Sequence, residues 1–151
     1  MSANPFDLRT VVLAKHAQHV VLIHFPIALF MIGVAFDFLA VRSKRSVFAT
    51  CAYYNLTGAA ITAIPTLITG FVAWQWALEG QRLKGVLLLH VVFGCVSSVL
   101  IWTAWLIHRR IQGRQGGVLP GYRLAIQAVA VAIVALTAHL GGFLSGVNAP
   151  N

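Results

Sequence analysis

The sequence predicts an all-α integral membrane protein: a four-transmembrane-helix, up-down bundle with a short N-terminal interfacial helix. Three observations lead there. Hydrophobic residues are 59% of the 151 and charged ones 9%, whereas a soluble domain is about one-quarter charged. Four apolar runs, near 20–41, 47–77, 85–108 and 121–146, are each about long enough to cross a ~30 Å hydrocarbon core at ~1.5 Å per helical residue. The basic residues behind the net charge of +8 sit in the connections between these runs and form no continuous face, which argues for membrane topology and against nucleic acid. Residues 1–18 are then an interfacial segment and 19–147 the transmembrane domain.

Each element has its own signals. Asn4, Pro5 and Asp7 read as an N-cap, a first-turn proline and an acid at a helix's positive end, so residues 5–17 are expected to lie as a short helix on the outer surface. No removable signal peptide is legible. In the first span Pro26 falls in the opening turns and frees a carbonyl near Leu22. In the second, Pro65 should kink the helix, and Tyr53 and Tyr54 at one end with Trp74 and Trp76 at the other suit two interface belts. Trp102, Trp105 and Tyr122 would join the inner belt. Gly58, Thr62, Thr66 and Gly70 recur at every fourth residue, as do many small residues of the stripe Ala128, Ala132, Ala135, His139, Gly142 and Gly146; both stripes suit helix–helix seams. Cys51 and Cys95, with no pairing motif, are expected as small apolar fillers.

Charge sets the expected orientation. Arg42, Lys44, Arg45, Arg109, Arg110, Arg114 and Arg123 fall at one set of helix ends, and Arg9, Lys15, Arg82 and Lys84 at the other. Seven against four places the first set in the cytoplasm and both termini outside.

The histidines then become informative. Up-down threading starts the first and third spans, and ends the second and fourth, on the outer side. His24, His90 and His139 each fall a few residues inside that rim, roughly 6–10 Å deep. Three imidazoles in one layer of hydrocarbon need one another, a metal or a cofactor, since an unsatisfied polar group there costs on the order of a few kcal/mol. Neutral imidazole is a usual axial ligand of haem iron and a common ligand of copper and zinc. Gly94 lies one turn below His90, Ala28 one turn below His24, and Ala135 and Gly142 flank His139, leaving space for a flat macrocycle. His19 lies just above the layer and about 140° round the helix from His24, so the two share no face unless the chain unwinds between them. His16 and His108 are expected as interfacial or hydrogen-bonded packing residues.

Other chemistry finds little support. Three acids, Asp7, Asp37 and Glu79, provide no carboxylate pair in the bundle, and neither a Ser/His/Asp set nor a phosphate loop is legible. Asp37 is the one acid within a span, and a rim salt bridge with Arg42 or Lys44 is its expected role. Glu79 is expected as a solvated loop charge.

HVVLIHFPIAL at 19–29, FDFLA at 36–40, His90 in GVLLLHVVFG and HLGGFLSGV at 139–147 resemble the bacterial membrane-protein family called domain of unknown function 2231. The resemblance covers nearly all of 19–147, with His19, His24, Phe25, Pro26, Asp37, His90, His139, Gly141 and Gly142 at its signature positions. Val20 departs from a frequent proline, AWQW at 73–76 lacks an aspartate beside tryptophan, and GVN is a shortened glycine-rich tail. The resemblance implies a multi-pass protein of the bacterial inner membrane. Some relatives are joined to Rieske iron–sulfur domains, which points towards electron transfer.

Together these features lead us to expect an electron-transfer subunit rather than a stand-alone enzyme. It would hold b-type haem through two of His24, His90 and His139 and exchange electrons between quinone and an outer-side cytochrome or iron–sulfur protein. Two other readings are a cofactor-free structural subunit of a respiratory or photosynthetic complex, and a copper or zinc site built from His24, His90 and His139 with His19 nearby.

Overall fold

The computed structural model describes residues 17–76, 78–112 and 119–146. They form α1 (Ala17–Leu22), α2 (His24–Ser43), α3 (Ser46–Trp76), α4 (Gly85–Gln112) and α5 (Tyr122–Leu144). Four stretches are long and apolar enough to cross a membrane: Gln18–Ser43, Ser46–Trp76, Gly85–Ile111 and Tyr122–Leu144. The expected interfacial helix at 5–17, with Asn4, Pro5, Asp7 and His16, lies outside the described residues.

α1 and α2 are one span interrupted at Ile23. Pro26 has no N–H to give the Leu22 carbonyl, and the helix loosens there. The Ile23 N–H still reaches the His19 carbonyl at 3.0 Å, while Ile27 N–H to Ile23 lengthens to 3.4 Å. The Leu22 carbonyl is covered from α3, where Thr66 Oγ1 lies 3.3 Å away. That hydroxyl also lies 2.9 Å from the Thr62 carbonyl, so one proton serves two acceptors. α2 ends at Lys44, in the left-handed region at φ 57°, and only Lys44 and Arg45 separate it from α3.

Two antiparallel hairpins result, α2 with α3 and α4 with α5, and they meet through α3 against α4 and α2 against α5. Gly33 permits the close approach within the first hairpin: a Cβ there would stand 3.1 Å from Leu56 Cγ and 3.3 Å from its backbone nitrogen. Phe30, Leu56, Ala59, Ala60, Ile101, Ala104, Ala130 and Val134 form the core. Trp102 and Trp105, expected in an interface belt, find hydrogen-bond partners on α3. The Trp102 indole N–H donates to the Ala60 carbonyl at 2.9 Å, and that of Trp105 to Thr57 Oγ1 at 3.1 Å, pinning α4 to α3.

The small-residue stripes turn out differently from each other. Gly58, Thr62, Thr66 and Gly70 are half-buried, with Gly58 backed by Leu29 of α2, as expected of a seam. On α5 the buried face is Arg123, Gln127, Ala130 and Val134, and Ala128, Ala132, Ala135 and His139 are exposed. The expected α5 seam is therefore corrected: the helix turns its polar residues inward, where partners for them exist, and leaves its alanines outside.

Candidate functional site

Two groups of polar side chains bridge the hairpins, one near each end of the bundle. At the end where α1 enters, His19 stands against α3. Its Nδ1 lies 3.1 Å from the Thr66 carbonyl and 3.4 Å from Thr69 Oγ1. A Cβ on Gly70 would come within 3.0 Å of its Cε1. His90 of α4 is held the same way by α5, with Nδ1 3.1 Å from the Thr137 carbonyl and Cε1 3.1 Å from where a Cβ on Gly141 would stand. Thr137 is itself tied to α4 through a 3.1 Å contact between its hydroxyl and that of Ser97.

The carbonyls decide the tautomer. A carbonyl only accepts, so each Nδ1 carries the proton and each Nε2 keeps its lone pair. The two rings are 6.4 Å apart between centroids and nearly perpendicular, at 84°. One histidine is anchored in each hairpin, and the two rings come together edge-on across the seam.

The expected trio is only partly assembled. His90 and, from the edge of that layer, His19 come together. His24 and His139 are exposed, and His139 packs edge-on against Phe143 at 5.0 Å between centroids. The 140° offset between His19 and His24 explains the first of these: the break comes at Ile23, too slight to bring both rings to one face. The outward turn of the Ala128 stripe explains the second. Gly94 leaves no special space, since a Cβ there would make an ordinary 3.8 Å contact with Thr137 Cγ2. Gly142 is half-buried and its carbonyl accepts from the Ser145 hydroxyl. Gly70 and Gly141, not Gly94, back the imidazoles. Among the described residues no group of three or more His, Cys, Asp or Glu side chains is placed to hold a metal ion.

The other end carries a cluster of Asp37, His108 and Arg123, expected in separate roles, together with Gln127. Asp37 is wholly buried, Arg123 is 6% exposed, His108 2% and Gln127 1%. Arg123 grips the carboxylate with both arms, Nε to Oδ2 at 2.9 Å and Nη2 to Oδ1 at 3.1 Å. His108 Nε2 lies 3.1 Å from Oδ2 and Gln127 Nε2 donates to it at 2.9 Å. Arg123 Nη1 donates to the Leu119 and Pro120 carbonyls, so all three guanidinium nitrogens are engaged. The rim salt bridge expected with Arg42 or Lys44 is thus replaced by one from another hairpin; Arg42 and Lys44 are exposed. The signal was present: Asp37 is the one acid in a span, and Arg123 and Gln127, four apart on α5, share a helix face.

A family model described as "Predicted membrane protein (DUF2231)" matches residues 15–148, and the chain belongs to that family. No curated protein and no solved structure matches it.

Proposed function

We propose that the chain is a membrane redox subunit that holds one b-type haem between His19 and His90 and exchanges electrons between quinone and an outer-side iron–sulfur or cytochrome partner. The supporting observation is the histidine pair, with both Nδ1 atoms bound to carbonyls and the rings 6.4 Å apart between centroids. With both Nδ1 atoms taken by carbonyls, His19 and His90 would each offer Nε2 as the ligand atom. Haem needs only two ligands from protein, whereas structural zinc is almost always four-coordinate. The pair therefore favours haem over the three-histidine copper or zinc site. When bound, haem supplies one-electron chemistry.

The chain's residues do the remaining work. Thr66 and Thr137 fix the tautomers, and Gly70 and Gly141 set the depth of the rings. We place the chain in a bacterial inner membrane on its family resemblance, with the His19 end outside on the charge count.

A reduced-minus-oxidised visible spectrum of the purified protein tests this. A cytochrome band is expected that His19→Ala and His90→Ala each abolish and that His24→Ala and His139→Ala retain. A band surviving both of the first two overturns the ligand assignment. A colourless protein overturns the haem and leaves a cofactor-free structural subunit.

A further inference from the structure

Among the described residues no acid neutralises the exposed cations at the Asp37 end. Arg42, Lys44 and Arg45 lie at the α2–α3 turn and Arg109 and Arg110 near the end of α4, and all five are exposed. The contact of His108 with Asp37 at 3.1 Å puts α2 and α4 at one level there, so both basic groups belong to one rim. The chain has three acids: Asp37 is buried and taken by Arg123, Glu79 belongs to the α3–α4 connection at the opposite end, and Asp7 belongs to the N-terminal segment. The described residues at the opposite end carry Arg82 and Lys84 beside Glu79, a net charge of one against five. Arg109 is also held in place, its guanidinium carbon 5.0 Å from the Trp105 ring centroid, and that indole is tied to Thr57.

We infer that this rim is a binding surface for anionic phospholipid headgroups. It stands where an apolar helix bundle leaves the hydrocarbon, so the nearest available anions are headgroup phosphates, and Lys and Arg at this depth are the side chains that recruit them. Arg meets a phosphate with two parallel hydrogen bonds, and Lys44 and Arg45 meet it from the adjoining turn.

The test uses the full chain, with Trp74, Trp76 and Trp102 replaced by Phe so that emission comes from Trp105, which carries Arg109 at this rim. It is reconstituted in phosphatidylcholine bilayers containing a fixed fraction of bromine-labelled lipid. Labelled phosphatidylglycerol is expected to quench with about a fivefold higher apparent association than labelled phosphatidylcholine. That ratio should fall towards one in ~1 M salt, where the Debye length is about 3 Å. R82Q/K84Q should leave the ratio unchanged. R42Q/K44Q/R45Q and R109Q/R110Q should each lower it, and the five substitutions together should bring it near one; the two partial variants serve if the combined one fails to fold. Equal quenching by both lipids, or a ratio unmoved by the partial variants, overturns the inference.

Discussion

Gly141 and Gly70 each admit an imidazole where a Cβ would stand 3.1 and 3.0 Å from its Cε1, tighter than nine in ten real Cβ contacts. The rings cannot retreat freely, because each Nδ1 is tied to a carbonyl 3.1 Å away. Gly141→Ala and Gly70→Ala should therefore displace the rings, at about 1–3 kcal/mol of overpacking, and weaken or shift any cytochrome band. Gly94→Ala, which meets only an ordinary 3.8 Å contact, should leave both the spectrum and thermal unfolding in detergent nearly as they are. A spectrum equally sensitive at all three glycines would show that the backing of the rings is not what matters. The layer of histidines was legible from depth along the spans. Depth does not give direction, however, and which of His19, His24, His90 and His139 point inward depends on the phase of each helix, which a uniformly apolar run leaves unmarked.

Among the elements, α5 shows best why that phase was missed. Small residues mark a seam in a membrane because apolar packing gives no other preference between faces, yet here Arg123 and Gln127 override the alanines. Burial of a guanidinium and an amide in hydrocarbon is costly without partners, and Asp37 supplies them at 2.9–3.1 Å. The α2–α3 hairpin, by contrast, follows the small-residue rule. Gly33→Ala would bring a Cβ to 3.1 Å from Leu56 Cγ and 3.3 Å from a backbone nitrogen that cannot move alone, and should cost about 1–3 kcal/mol. The drop should appear as a lower unfolding midpoint in detergent; an unchanged midpoint would mean that the hairpin separates easily. Span lengths and the Pro26 effect at Leu22 were readable from sequence because they depend on local chain geometry. The cover that Thr66 provides from another helix was not.

For the whole molecule, two hairpins are fastened by an apolar middle, two indole pins and the Asp37 cluster, and the cluster is the fastening that should respond most sharply to mutation. Asp37→Asn would leave the Arg123 charge, 6% exposed, without its counter-ion, and Arg123→Gln would strand a wholly buried carboxylate. Each should cost about 3–5 kcal/mol in denaturant unfolding from mixed micelles, since the damage is the uncompensated charge rather than the lost contact. Asp37→Asn/Arg123→Gln removes both charges together, so its cost should fall short of the sum, with a coupling of about 0.5–3 kcal/mol. Gln127 provides the contrast. Its amide donates to Asp37 at 2.9 Å, while its Oε1 has no partner among the described residues. Gln127→Leu thus removes one good bond and one unsatisfied acceptor, and should change stability by about 1 kcal/mol or less. If Asp37→Asn and Arg123→Gln proved additive, or Gln127→Leu as damaging as either, the cluster would be held by shape rather than by charge. The hairpins would then owe their alignment to Phe30, Leu56 and Ile101 in the middle of the bundle.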